Sequence, residues 1–372
     1  MAGIRSASPS LQPLRAPQRD SSLSRLFLAV YVLLVVYASL YPLTGWREPA
    51  GPALAFLTET WPRYVTAFDL SANFFGYIPY GLLCVLAVHA RLSRGAAVVL
   101  ATVTGAALSL ALESAQSFLP SRVPSNVDVL ANAAGAAAGG LAAAILARWL
   151  LGGGPLQRLR AQALTPGAAS DLGLALLGLW LFAQLNPATL LFGSGDLRDL
   201  FAGAAGARHE AELFVSIEAV ITAANLAAVA LLASAGTRPG APVVSVVASL
   251  VALALAVKTF AIAIVMHAEH VFAWLTPGAQ LGLVAGAAFA MTALWLPRTA
   301  RLALAAVLLM AATVLVNLAP PNPYFAAMLK VWEQGHFLNF NGLTRLVSAT
   351  WPFAALGYLV YLAAGQRRKP FQ

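Results

Sequence analysis

The stretch ALESAQSFLPSRVPSNVDVLANAAGAAAGG, residues 111–140, closes one long apolar run and opens another. The runs on either side, 95–118 and 127–151, each exceed the ~20 residues that a helix needs to cross the hydrocarbon of a bilayer. A short polar link, LPSRVPSN, joins them, so the stretch reads as the top of an antiparallel helical hairpin in a membrane. Within it Glu113, Gln116, Arg122, Asp128 and Asn132 lie inside or beside the apolar runs. Each carries a desolvation cost that a purely structural hairpin would avoid.

The rest of the chain agrees with a membrane setting. Of its 372 residues 60% are hydrophobic and 10% charged, and the mean hydropathy is +0.76. Soluble domains carry about a quarter charged residues. Apolar spans recur near 24–42, 70–90, 95–118, 127–151, 171–192, 212–235, 242–266, 276–296, 301–318 and 343–364, about ten in all. Irregular chain and open sheets cannot face lipid, so the expected fold is all-α, a polytopic bundle of transmembrane helices.

Charge placement predicts the topology. The net charge of +9 would suggest nucleic acid in a soluble protein, but the basic residues fall in short loops and tails, and no nucleic-acid partner is expected. Arginines cluster before the first span, at Arg91 and Arg94, at Arg148, Arg158 and Arg160, at Arg238, at Arg298 and Arg301, and at the C-terminal QRRK. These positions are the even-numbered loops and both ends, while the other loops mix signs. The positive-inside rule then puts both termini in the cytoplasm and the mixed loops outside. Arginine dominates over lysine, with only Lys258, Lys330 and Lys369 present, and alanine and glycine abound. That bias suggests a GC-rich bacterial genome and hence the bacterial cytoplasmic membrane. Arg25 and the run after it resemble a signal sequence, but the run is long and no A-x-A site follows, so a retained first helix is expected. Cys84 is the single cysteine, which excludes an internal disulfide and a cysteine zinc site.

Four segments are expected: a disordered cytoplasmic tail over 1–22, a four-helix membrane domain over 23–151, a Gly- and Pro-rich cytoplasmic linker over 152–170, and a six-helix membrane domain over 171–372. No repeat relates the two halves, so the inverted-repeat signature of transporters is missing.

On this topology three helices bring polar pairs to one membrane depth. Asp69 and Asn73 are four apart at the outer start of span two, Glu113 and Gln116 three apart at the outer end of span three, and Asp128 and Asn132 four apart at the outer start of span four. Residues at these spacings share a helix face. Arg122 is the nearby cation, and Ser125 or Asn126 is placed to cap span four. Pro79, with Gly76 and Gly81 around it, predicts a kink in span two. Gly135, Gly139 and Gly140 among alanines offer a face where another helix can approach closely. The bland readings are dipole-favoured aspartates at helix starts, interhelical hydrogen bonds from the amides, and an Arg122–Glu113 or Arg122–Asp128 bridge. The functional reading is a binding or proton-handling cluster, since intramembrane acids line cavities or find partners.

The series Asp69-x-x-x-Asn73, Pro79-x-Gly81, Glu113-x-x-Gln116, Arg122 and Asp128-x-x-x-Asn132-x-x-Gly135-x-x-x-Gly139 resembles the VanZ-like family over roughly residues 26–150. The family takes its name from a protein that raises teicoplanin resistance in glycopeptide-resistant bacteria. The resemblance implies a cell-envelope membrane protein whose ligand is a lipid headgroup, a peptidoglycan-related molecule or a glycopeptide. The chain departs from the family pattern at Leu70 and Asn73, where members often carry a Lys and a His.

The back half offers fewer signals. Lys258 lies within span seven, and its expected role is to snorkel outward or to pair with an acid such as Glu218. His267, Glu269 and His270 resemble a metal-ligand set only loosely, because helical zinc ligands sit at i and i+4; no metal and no cofactor are expected. Gln184, Asn186 and Pro187 read as a kink and cap at the end of span five. The segment 320–345, with WEQGHFLNFNG, reads as an interfacial aromatic belt. No nucleophile, metalloprotease or phosphate-loop motif occurs, so the reading leans away from an enzyme. Two alternatives stay open. One is an intramembrane enzyme on lipid-linked substrates that uses a protonated and an ionised acid. The other is a secondary transporter using Glu113 and Lys258.

Overall fold

The computed structural model describes residues 20–49, 51–58, 66–150, 154–198, 211–265, 271–319 and 338–367. Ten helices answer the ten expected spans. They are α1 (Asp20–Leu40), α2 (Ala67–Val88), α3 (Arg94–Gln116), α4 (Asn126–Leu150), α6 (Ala168–Ala183), α7 (Ala211–Ala235), α8 (Val243–Val265), α9 (Pro277–Ala293), α10 (Arg298–Leu318) and α11 (Leu338–Arg367). Eight of them are long and apolar enough to cross a membrane, while α6 and α9 run to 16 and 17 residues. Large apolar side chains such as Leu33, Val99, Leu130, Ile145, Val284 and Val307 are exposed on the outside of the bundle. In water such a surface would drive association; here it is the lipid-facing side of a polytopic helical membrane protein. Among the described residues there is no strand, only an isolated bridge between Leu164 and Thr237.

An eleventh helix, α5 (Pro155–Ala163), forms inside the stretch expected as linker. It begins with Pro155 in the first turn, where a missing N–H costs nothing. Arginines tie this helix and the neighbouring helix ends together. Arg160 pairs with Asp171 at the start of α6, and Ser22 of α1 donates to the same carboxylate. Arg238 donates from its backbone N to Ala163 O at 3.0 Å and from its side chain to Ala161 O at 2.5 Å. Arg298 and Arg301 reach Ala235 O and Ser234 Oγ at the end of α7. The arginines expected on one side of the membrane thus gather at one end of the bundle. The α3–α4 hairpin lies at the other.

Span five differs from expectation. Its helix stops at Ala183 rather than near 192, and residues 184–198 leave the helix as a largely buried irregular segment. Asn186-Pro187 explains the stop, because the residue before a proline is driven out of the helical region. Asn186 Oδ1 then accepts Ala188 N at 2.9 Å and closes an Asx turn.

Two helix pairs cross unusually closely. On α4, a Cβ added at Gly135 would lie 2.1 Å from Phe74 O, and one at Gly139 would lie 2.0 Å from Ile78 O; on α2, one at Gly81 would lie 1.9 Å from Ala136 O. Only glycine lets the backbones meet at these points, as the small-residue spacing on α4 predicts. In the back half, Gly278, Gly282 and Gly286 of α9 pack in the same manner on α7, against Glu218, Thr222 and Ala223. Helix α1 packs on α2 and α3 on one side and on α6 and α11 on the other, and so joins the two halves.

Candidate functional site

The α2–α4 crossing sets the depth of the polar residues. α2 starts with Thr66 as its N-cap; Thr66 Oγ1 accepts Asp69 N at 3.0 Å and donates to Asp69 Oδ2 at 2.5 Å. α4 starts with Ser125 as its cap, its Oγ accepting Asp128 N at 3.4 Å. Ser125 N donates in turn to Glu113 Oε2 at 2.9 Å, which pins the loop over the end of α3. These short-range bonds bring the acids of three helices together. Asp128 lies within electrostatic reach of Asp69 on one side and Glu113 on the other, and within hydrogen-bonding reach of the Asn73 amide. Glu113 is buried, while Asp128, Asp69 and Asn73 are half-buried.

One helical turn deeper, about 5.4 Å down the axis, lies a second polar layer. Asn132 follows Asp128 by four residues on α4, Ser109 precedes Glu113 by four on α3, and Tyr77 follows Asn73 by four on α2. Asn132 Nδ2 donates to Ser109 Oγ at 2.8 Å. Asn132 Oδ1 is buried and has no hydrogen-bond partner, and the buried Tyr77 hydroxyl lies beside Ser109 without a well-formed bond. Below this layer the core shuts: a Cβ on Gly105 would lie 2.7 Å from Ala136 Cβ and 3.2 Å from the Tyr80 ring. The arrangement is a two-layer polar cleft among α2, α3 and α4, half-buried in its outer layer and packed shut beneath. Tyr77 and Ser109 escaped the sequence reading, although the four-residue spacing that exposed the outer layer also points to them.

Arg122 and Gln116 do different work from the acids. The Arg122 guanidinium donates from Nε to Tyr41 O at 3.1 Å, and from Nη2 to Tyr41 O at 2.8 Å and Ala38 O at 3.1 Å. Gln116 Nε2 donates to Ser39 O at 3.0 Å. Together they satisfy the last carbonyls of α1, which no intrahelical N–H can reach. Neither the Arg122–Glu113 nor the Arg122–Asp128 bridge forms. Burial lowers the Arg122 pKa from its ordinary value, and the nearby Glu113 charge opposes that shift. Its Nη1 makes no hydrogen bond among the described residues.

Pro79 sits inside a continuous α2, and Tyr31 of α1 donates to Gly76 O at 2.5 Å, close to where the proline withholds an N–H. Gly81, Gly135 and Gly139 are the close-approach points of the α2–α4 crossing rather than cleft-lining residues.

Residues 26–147 match the VanZ/LLP1 family. This part of the chain is a VanZ-like domain. The match runs from α1 through most of α4 and so contains the whole cleft, whereas the back half lies beyond it. No curated protein and no solved structure matches the chain.

Outside the VanZ-like domain, Lys258 does not snorkel. It is 1% exposed, and its Nζ donates to Asn186 O and Thr189 O, each at 2.7 Å, and to Thr189 Oγ1 at 3.2 Å. The oxygens come from the irregular segment after α6, whose freed carbonyls point inward to the ammonium. Glu218 of α7 is buried and is the electrostatic neighbour of Lys258, without an ion pair between them. His267, Glu269 and His270 lie outside the described residues, as do residues 320–337 of the expected belt. Among the described residues no group of three His, Cys, Asp or Glu side chains is close enough to hold a metal ion.

Proposed function

We propose that the protein acts in the bacterial cell envelope, with its termini in the cytoplasm, and that the cleft of its VanZ-like domain binds a polar headgroup or a cell-wall-related molecule at the outer face. The observation that carries this reading is the buried Glu113 beside Asp128 and Asp69, three acids from three helices, above the buried and unpartnered Asn132 Oδ1. A bundle evolved for stability alone would replace such a group with apolar side chains at little cost. The two-layer depth and the closed floor favour a binding cleft over a conduction path. Through this site the protein would alter susceptibility to glycopeptides such as teicoplanin, the property from which the family is named.

Replacing Glu113 by Gln and Asp128 by Asn keeps side-chain shape and removes charge. In a permeable host that the parent protects against teicoplanin, and at matched membrane levels, both variants are expected to lose protection. Full protection by both would refute the reading.

A further inference from the structure

The hydrogen-bonding balance of the cleft identifies the chemistry of its ligand. The three carboxylates are acceptors. Asn132 Oδ1 is an acceptor without a donor, and the Tyr77 hydroxyl beside Ser109 has lone pairs to spare; both residues are 4% exposed. Tyr77 lies within electrostatic reach of Glu113, and Asn132 lies one turn below Asp128, so both groups belong to the same cleft. Apart from the Tyr77 O–H, the donors nearby are engaged, the Asn73 amide with Asp128 among them. Ser125 N serves Glu113, the Thr66 hydroxyl serves Asp69, and the Asn132 amide NH₂ serves Ser109. The cleft therefore holds more carboxyl and carbonyl acceptors than free donors.

Two cationic occupants would suit that balance, a metal ion or an organic ammonium. The acids are near enough to feel one another, yet no three of them converge closely enough to cage a metal ion. A primary ammonium offers three N–H donors and no acceptor, and it spans a wider set of partners than a bare cation. Beside the cleft, the unused Nη1 of Arg122 adds donors suited to an anionic group on the same molecule.

We infer that the cleft recognises a primary ammonium group, carried by a zwitterionic aminophosphate headgroup whose phosphate lies at Arg122. This rests on the proposed binding role and goes further by naming the charge and donor pattern of the ligand. Phosphatidylethanolamine carries this chemistry in a lipid, and phosphoethanolamine carries it in solution.

The test is competitive retention by the purified full-length protein, read by native mass spectrometry. The competitors are phosphatidylethanolamine, phosphatidylcholine and phosphatidylglycerol with identical acyl chains. Phosphatidylcholine keeps the positive charge but has no N–H; phosphatidylglycerol offers hydroxyls and no cation. The inference expects phosphatidylethanolamine to be retained about tenfold over the other two, the scale of a charge-assisted hydrogen bond. Glu113→Gln and Asp128→Asn should bring the ratio near one. Tyr77→Phe, which removes only the hydroxyl, should lower it severalfold in a protein that melts like the parent.

Preferential retention of phosphatidylglycerol that depends on Glu113 and Asp128 would overturn the ammonium and leave the binding role standing. Equal retention of all three lipids by the parent would overturn the inference and also weaken the binding role, which the susceptibility measurement judges separately. Displacement of the lipid by soluble phosphoethanolamine would support recognition of the headgroup alone. Resistance to displacement, with the lipid preference intact, would support recognition of the same headgroup only when a lipid delivers it.

Discussion

The two halves of the molecule bury charge in opposite ways. In the front half, Glu113 is 5% exposed beside two other acids, and Asn132 keeps an unpartnered polar atom beneath them. In the back half, Lys258 is 1% exposed but its ammonium meets three oxygens of the segment that follows α6. The helix frameworks are similar, since glycines let α4 meet α2 and α9 meet α7 with backbone against backbone. What differs is whether the polar groups around the buried charge are all satisfied from within the protein. A satisfied charge fixes a fold: Lys258 holds irregular backbone that could not otherwise remain at membrane depth. An acidic cleft with acceptors to spare leaves room for a partner from outside.

The contrast is broken most severely at Lys258. Lys258→Met would strand two inward carbonyls and leave Glu218 without its cationic neighbour. The expected loss is about 3–5 kcal/mol of stability, read by thermal or denaturant unfolding in detergent. Adding Glu218→Gln should restore part of it. A Lys258→Met protein as stable as the parent would remove the structural reading of the back half.

Next in size are the glycine crossings. Gly139→Ala would force a methyl carbon to within 2.0 Å of Ile78 O, and overpacking of this kind costs about 1–3 kcal/mol. Its neighbour provides the control. A Cβ on Gly140 meets nothing nearer than Val85 Cγ2 at 3.4 Å. Gly140→Ala should therefore be neutral or stabilising, up to the ~1 kcal/mol helix preference of alanine. Equal melting temperatures for the two variants would contradict the close crossing.

Arg122→Gln should cost about 1.5 kcal/mol, because the guanidinium bonds three times to the end of α1. Unfolding measurements should place it below the parent and below Gly140→Ala. Ser121→Cys in a Cys84→Ala background should leave stability within about 0.5 kcal/mol. This exposed position should react with a membrane-impermeant maleimide on intact cells. Labelling only in inverted vesicles would reverse the orientation of the cleft.

Much of the fold was legible in the sequence because bilayer thickness constrains helix length so strongly. All ten expected spans have a helix, and the Gly135/Gly139 spacing foretold a close approach. The helical spacing of Asp69, Asn73, Glu113 and Asp128 already placed them at one depth in the sequence, with Asn132 one turn further along α4. Other features depended on contacts between distant segments. Nothing local to Arg122 shows that the carbonyls of Ala38 and Tyr41 lie within its reach, so the sequence offered only a ligand contact or an ion pair with a neighbouring acid. Lys258 looked like a snorkelling lysine because its partners come from a stretch that hydropathy assigns to span five. α5 was hidden because nine residues rich in Arg and Gln carry no apolar run.

The central claim is that the front cleft is held for a ligand at the expense of stability, whereas the Lys258 site is held for the fold. The most direct measurement pairs two readings on Glu113→Gln and Asp128→Asn: melting temperature in detergent and teicoplanin protection at matched membrane levels. Removing a carboxylate from a cluster of three acids should leave the melting temperature equal to or above that of the parent, while protection is lost. A fall in melting temperature that accounts for the lost protection, or protection kept in both variants, would contradict the account.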